Sequence, residues 1–348
     1  VQIILLDMFN CAYACYYGFT GRDKDGKSRL ETDDITATMF GVLKTVIAAI
    51  EANPHTGMVV AAFDHSNGPT WRHELFPAYK ANRKVFKDAR DEQVKTQART
   101  IVGCVIEQLL AMFSNLPVFT AIRENTEADD LIASMVHHYA KAGFYITVVS
   151  GDKDMRQLLV NDNITIQPTT GKSMKLTRYD FSKMCKVKTT GKVPEVIRIP
   201  TPEAWLAFRV LSGDSSDNIS NVDGIGEVKA ARLVVNAHER PLPGAKNVLS
   251  RVYVADEALV EGIRGAKGLL EKLQSDKARN QMALNTALMC IGEDSFAVQN
   301  VGSPAAWMSR GVFAREWFLN WLTWTRMSTV IQKFDLFDSL DLRMKQII

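Results

Sequence analysis

Histidine and cysteine are scarce in this chain of 348 residues, at six and five. The cysteines (Cys11, Cys15, Cys104, Cys185, Cys290) are scattered and odd in number, and they lack the paired spacing of a zinc site. They read as reduced, buried thiols of a cytosolic protein. Long apolar runs are missing too. The first, Val1 to Leu6, stops at Asp7, too soon for a signal peptide, and the Trp-rich stretch from Trp307 to Trp324 is broken by Arg310, Arg315 and Glu316. No internal repeat or low-complexity segment occurs. Net charge is nearly absent as well: the formal value of +3 by itself names no polyanionic partner. What remains is ordinary globular composition, 46% hydrophobic and 23% charged, enough for one large or two modest domains.

The most informative stretch runs from Arg123 to Asp154. Thr126 suits a helix N-cap, Leu131 to Ala142 carries helical apolar spacing, and Gly143 is placed to end the helix. Phe144 to Val149 reads as a buried strand that stops at Ser150-Gly151-Asp152-Lys153-Asp154. Glu127, Asp129, Asp130, Asp152 and Asp154 thus fall at a helix start and at the end of the next strand, one edge of a parallel sheet. Either acidic group alone would mean no more than a complement to the helix dipole or a turn. Other strands decide the matter. Ile3 to Leu6 is closed by Asp7, Met58 to Phe63 by Asp64, and Pro117 to Ile122 precedes Glu127. Four predicted strands each deliver a carboxylate to the same edge, which dipoles and turns do not explain.

Packed acids repel and would take up protons unless cations balance them. All-oxygen donors, with few His or Cys in these motifs, favour two hard dications, Mg²⁺ with Mn²⁺ as a substitute, and such a pair clamps the oxygens of a phosphodiester. With nine acids set around ions, 30 of the 39 remain against 42 basic side chains, a basic surface around one acidic pocket.

Between the second and third strands, Pro77-Ala78-Tyr79-Lys80-Ala81-Asn82-Arg83-Lys84 interleaves bases with an aromatic, suiting phosphate contacts and base stacking, and a charged helical stretch follows to about Gln97. An amphipathic helix is expected over about Thr32 to Ala52, after a glycine- and charge-rich turn from Gly18 to Ser28. A short helix, Met155 to Val160, and a strand, Ile164 to Gln167, continue the sheet; Thr169 to Pro202 reads as loop. Then come Asp214 and Asp217 and, seven residues on, Gly224-Ile225-Gly226 before a helix with Lys229, a turn whose N–H groups can cradle phosphate. Asp276 to Ile291 is helical in pattern. Trp317, Trp321 and Trp324 have helical spacing and read as core, and His137 and His138 as packing and surface.

These motifs, in order, resemble the bacterial and bacteriophage 5′-nucleases, a group that includes flap endonucleases and the N-terminal nuclease domain of DNA polymerase I. The resemblance rests on Phe63-Asp64, Glu74 to Arg83, Glu127-Ala128-Asp129-Asp130, Ser150 to Asp154, and Gly213 to Ile219 with Gly224 to Gly226, and it covers about Ile3 to Val235. It implies an α/β fold with a mostly parallel central sheet flanked by helices (a PIN-like 5′-nuclease fold), a helical arch and a helix–two-turn–helix element. The implied layout is a nuclease core over 1–204 with the arch at about 79–115, a duplex-binding region over 205–297, and a C-terminal tail over 298–348 packed on the core. Asp7, Asp64, Glu127, Asp129, Asp130, Asp152, Asp154, Asp214 and Asp217 would line a two-Mg²⁺ site. Lys80 and Arg83 would steady the scissile phosphate at the arch base. Tyr79 would stack on a base, with Lys84 beside it on the strand. Gly224, Ile225, Gly226 and Lys229 would hold duplex backbone, with a K⁺ ion at that turn.

The implied activity is 5′→3′ exonuclease and flap endonuclease cleavage by a cytoplasmic monomer in a bacterial cell or phage-infected host. DNA with 5′ ends, flaps or junctions is the implied substrate, RNA–DNA hybrid being left open. Departures exist: Met8 replaces a small residue, and Val228 stands where the family places the lysine that here comes at Lys229. A free-standing nuclease is expected, since nothing resembling a polymerase follows. Alternatives are an inactive structure-specific DNA-binding protein or a PIN-type ribonuclease. A phosphatase with an aspartyl nucleophile is excluded by Phe9, two residues after Asp7, where a second acid is required.

Overall fold

The computed structural model describes residues 1–20, 35–65, 68–86, 88–169, 175–190, 194–293 and 295–347. Most of the expected Gly18–Ser28 turn and the first residues of the expected Thr32–Ala52 helix lie outside these.

Strand β1 (Gln2–Asp7) is the axis of the molecule. It pairs in parallel with β2 (Thr56–Ala62), outside which lies β3 (Phe119–Ala121), and on its other side with β4 (Tyr145–Val149), outside which lies β5 (Ile164–Gln167). The chain runs β1-β2-β3 in one direction and then crosses back over β1 to lay down β4 and β5. The strand order therefore reverses between β1 and β4, the switch point where open α/β sheets bind ligands.

Both faces of β1 are buried. Ile3 and Leu5 pack into one core and Ile4 and Leu6 into the other, as the two-residue period of a strand demands. The Ile4 face is covered by α1 (Met8–Thr20) and α2 (Ile35–Glu51). After the short helix α3 (Trp71–Leu75), α4 (Ala89–Phe113) joins the same face. The Ile3 face is covered by α5 (Ala128–Lys141). The segment expected to be loop over Thr169–Pro202 instead contains a helical turn, α6 (Phe181–Met184), and an antiparallel pair, β6 (Lys186–Lys188) with β7 (Val196–Arg198). Its apolar residues are single (Val187 and Ile197, flanked by exposed neighbours), too few for a sequence period to register.

Helices α7 (Pro202–Ser212) and α8 (Glu227–Glu239) extend the Ile3 core. Helices α9 (Val248–Val254), α10 (Glu257–Val260), α11 (Ala266–Gln274) and α12 (Asp276–Met289) follow on the same side. The chain then returns through α13 (Phe296–Val301) to β8 (Met308–Arg310), which pairs antiparallel with β3 and makes the sheet six-stranded. Finally α14 (Arg315–Trp324), α15 (Ser328–Ile331) and α16 (Asp335–Ile347) close over the Ile4 core through Phe318, Leu322, Phe334 and Phe337.

Two expectations are corrected here. The charged helix does not stop near Gln97. Ala98, Ile101, Val102, Val105 and Leu109 continue its period into the core, so the part of the expected 79–115 arch from Ala98 onward packs as a core helix. The tryptophans are not core: Trp317 is 44% and Trp324 82% exposed, whereas Phe318 and Leu322 are fully buried. Helix α14 turns the face one residue away from the tryptophan stripe to the core, and only Trp321 packs at its margin. No helix among the described residues is long and apolar enough to cross a membrane.

Candidate metal centre

The strand register brings the acids together. Asp7 lies level with Ala62 of β2, and Leu6 level with Val149 of β4, so the chain leaves all three strands at one height. Asp7 is buried; its Oδ1 accepts from the Asn10 amide at 3.1 Å and its Oδ2 from the Ser150 hydroxyl at 2.8 Å. Asn10 in turn accepts from Gly151 N–H at 2.8 Å, tying the first turn of α1 to the loop after β4. In that loop Asp152 accepts from the Asp154 amide at 2.7 Å. Asp64, one residue past β2 and Phe63, accepts from the Ala128 amide at 2.7 Å, so it caps the N-terminus of α5 from outside.

Charge is crowded here. Burial, then Asp64 nearby, pushes Asp7 up to about 7. Burial raises Asp154 to about 6 against the pull of Arg209. Burial and the charges of Asp152, Asp7, Asp64 and Glu127 hold Asp129 well above the usual carboxylate range. Asp64 and Asp152 are raised too, by burial first. These acids feel one another across one pocket, a situation that calls for positive charge.

Protein cations supply part of it. Lys80 Nζ lies 2.6 Å from Glu127 Oε1, and Arg83 Nη2 2.7 Å from Asp217. Arg209 bridges Asp154, at 3.0 Å, and Asp214. Although burial opposes it, Lys80 and Arg72 bring Glu127 down to about 2. Lys80 itself has φ +56°, a left-handed conformation costly for a side-chain-bearing residue, and its amide is held by the Asp217 carbonyl at 2.9 Å. That twist turns the Lys80 side chain back to Glu127.

Two expected site residues are placed elsewhere. Asp130 is fully buried and closed in a bidentate fork by Arg72 (2.7 and 2.9 Å), with the Trp71 indole N–H at 2.9 Å, which sets it apart from Asp129 and the other acids held high by mutual repulsion. A helix start presents successive residues about 100° apart, and Asp129 and Asp130 therefore face different ways. Tyr79 is no open stacking platform. It is 4% exposed, and its hydroxyl donates to Glu127 at 3.1 Å and Asp217 at 3.2 Å. A cavity of about 380 Å³ lies next to Asp64 and Glu127, lined by Phe9, Tyr13, Lys80, Arg83 and Arg99 among others. Tyr13 and Arg99 went unnoticed in the sequence, where neither sits in a motif; a helical wheel of α1 and α4 facing Asp64 was the available signal. The side chain of Lys84 lies outside the described residues.

Among the described residues no three acids are drawn around a single point. Their chemistry nonetheless fits dications: all are carboxylates, buried together and raised by mutual repulsion. At the Gly224 turn, where a K⁺ ion is expected, side-chain donors of the chain reach the carbonyls. The Val222 and Ile225 carbonyls already accept from Asn221 Nδ2 at 3.2 and 3.0 Å, and the Gly224 carbonyl from Lys229 Nζ at 3.2 Å. Gly226 caps the N-terminus of α8, as expected.

Comparison with known proteins agrees with this architecture. Residues 2–187 match the family described as 5′-3′ exonuclease, N-terminal resolvase-like domain. The DNA polymerase I of Pseudomonas aeruginosa is 33% identical over 260 residues, 74% of this chain and 24% of that protein. That of Synechocystis is 29% identical over 283 residues, 80% of this chain and 25% of that protein. The chain thus spans about a quarter of the length of the curated relatives it matches. In fold, a bacteriophage T5 protein co-crystallised with metal ions superposes with a TM-score of 0.56 at 14% identity, covering 100% of this chain and 99% of that one. A bacteriophage T5 flap endonuclease complexed with DNA and metal ions gives 0.50 at 15% identity, over 83% and 99%. The family match takes in more than half of the chain, and the chain accordingly belongs to the 5′-3′ exonuclease family.

Proposed function

We propose that the chain is a structure-specific 5′-nuclease that hydrolyses phosphodiesters at 5′ ends, 5′ flaps and single-strand/duplex junctions of DNA, with RNA–DNA hybrid as a further substrate, using Mg²⁺ or Mn²⁺. The observation that carries this reading is the gathering of Asp7, Asp64, Asp129 and Asp152, from three strand ends and one helix start, at one edge of the sheet, close enough for Asp129 to feel the charge of the other three. Two bound dications would supply an activated water and a counter-charge for the departing oxygen at that edge.

The chain's own residues do the rest. Asp7, Asp64, Glu127, Asp129, Asp152, Asp154, Asp214 and Asp217 would hold the ions, directly or through water. Lys80 and Arg83 meet the scissile phosphate and stabilise its growing negative charge. Arg99, Tyr13 and Phe9 line the adjoining cavity, where one nucleotide of the single strand lies. Gly224, Ile225, Gly226 and Lys229, at the start of α8, contact duplex backbone without reading bases. In this layout 1–204 is the nuclease core, 205–297 the duplex-binding region and 298–348 a supporting tail, in a monomer. The test is cleavage of a labelled 5′-flap substrate in Mg²⁺ and in EDTA. Cutting near the junction only with Mg²⁺ supports the reading; cutting in EDTA, or binding without cutting, overturns it.

A further inference from the structure

Arg72 does more than its charge requires. It is 3% exposed, and its bidentate pairing with Asp130 already balances one buried cation with one buried anion. Two further bonds are then left to explain. Nη1 also donates to Glu127 Oε2 at 2.8 Å, and Nε donates to the Leu288 carbonyl at 2.8 Å, at the C-terminal end of α12. The guanidinium plane is fixed as well, 4.4 Å from the centre of the Trp71 ring.

Consider what this does to Glu127. Its Oε2 is held from two directions, by Arg72 and by the Tyr79 hydroxyl, so the carboxylate cannot turn. Its Oε1 is thereby aimed at Lys80 Nζ, 2.6 Å away. The C-terminal half of α12 is also fastened to the segments that flank Asp154, Asp214 and Asp217. Asn285 Nδ2 donates to the Val210 and Ser220 carbonyls, both at 2.8 Å, on either side of Asp214 and Asp217, and Gln157, just past Asp154, donates to the Met289 carbonyl at 2.9 Å. Arg72 is the link that adds Glu127 to this frame.

We propose that Arg72 is a positioning residue for cleavage, acting through Glu127 on Lys80 and locking both to the C-terminal end of α12. The proposal rests on the nuclease reading above. A displacement of about 1 Å at the reacting centre can lower a rate about 10²-fold without weakening binding. Arg72→Lys keeps the charge but has no fork, so one ammonium cannot serve Asp130, Glu127 and Leu288 together. The experiment measures single-turnover cleavage of a 5′-flap DNA in Mg²⁺, and flap affinity in EDTA, for the parent, R72K, K80A and the double variant. R72Q/D130N, which replaces the buried ion pair by two amides, is the second route should R72K fail to fold.

The expected result is a rate loss of about 10²-fold for R72K and for R72Q/D130N, with affinity within about 3-fold of the parent. In the K80A background the same change costs less than about 3-fold, because its target is already gone. A loss that multiplies in full with K80A overturns the proposal, since Arg72 would then act on something other than Lys80. So do variants that cut at the parental rate. A parent chain that cuts no flap in Mg²⁺ overturns the nuclease reading and this one together.

Discussion

Asp129 and Asp130 are adjacent in sequence and opposite in use: the Asp130 carboxylate is locked 2.7 Å from Arg72 Nη2, while that of Asp129 faces Asp152, Asp7 and Asp64. Asp130→Asn is expected to lower folding stability by about 3 kcal/mol, because it removes the bidentate anion of a buried guanidinium and leaves Glu127 alone to balance both Arg72 and Lys80. Asp129→Asn is expected to leave stability equal or higher and to weaken Mn²⁺ binding. Urea unfolding and calorimetric Mn²⁺ titration of the two variants check the pair. The reverse pattern would return Asp130 to the ion site.

Removal of one repelling acid should separate stability from activity. Asp152→Asn is expected to raise the melting temperature of the metal-free protein, since burial and nearby acids penalise its charge. The same variant is expected to cut flap DNA at least about 10²-fold more slowly. A variant both less stable and fully active contradicts the electrostatic account.

Acidity should couple to metal. Asp7 and Asp154 ordinarily titrate near 3.8 and here do so at about 7 and about 6. Because the fold prefers their protonated forms, their contribution to stability is complete below about pH 4 and is lost as pH rises through 6 and 7. In EDTA the melting temperature is therefore expected to fall between pH 5 and pH 8. The increment given by saturating Mn²⁺ is expected to grow over the same range, as protons no longer compete for the acids. Thermal scans with and without Mn²⁺ test this, and an increment independent of pH would count against it.

The Gly224 turn is closed by Asn221 and Lys229. Replacing K⁺ by Na⁺ or by tetramethylammonium at constant ionic strength is expected to leave flap affinity within about 2-fold. A loss of about 10-fold specific to K⁺ withdrawal would show that an ion displaces the Asn221 amide. The Lys229→Ala variant should bind flap DNA more weakly at low salt, with a shallower salt dependence.

The sheet edge was legible in the sequence because four expected strands each led to a carboxylate, and β1, β2, β4 and β5 fall within a residue or two of their expected limits. The division of labour among the acids was not. Nothing in the letters Asp129-Asp130 says which faces Arg72, because Arg72 arrives from a helix more than fifty residues earlier. Tyr79 reads as a stacking residue by its company of Lys80 and Arg83, yet packing against Ile219 and Leu288 buries it. β8 was missed for the reason short edge strands generally are: three residues with one half-buried side chain carry no period. Trp317 and Trp324 misled for the opposite reason, since spacing alone fixes a stripe but not which way it turns.

The outermost strand of the sheet comes from the far end of the chain. β8 hydrogen-bonds β3, and the chain leaving β3 leads directly to Glu127 and α5. A shortened protein cut where the family match stops at residue 187 would expose the bare rim of β3 to any other extended chain, so the unit fit for expression runs through α16.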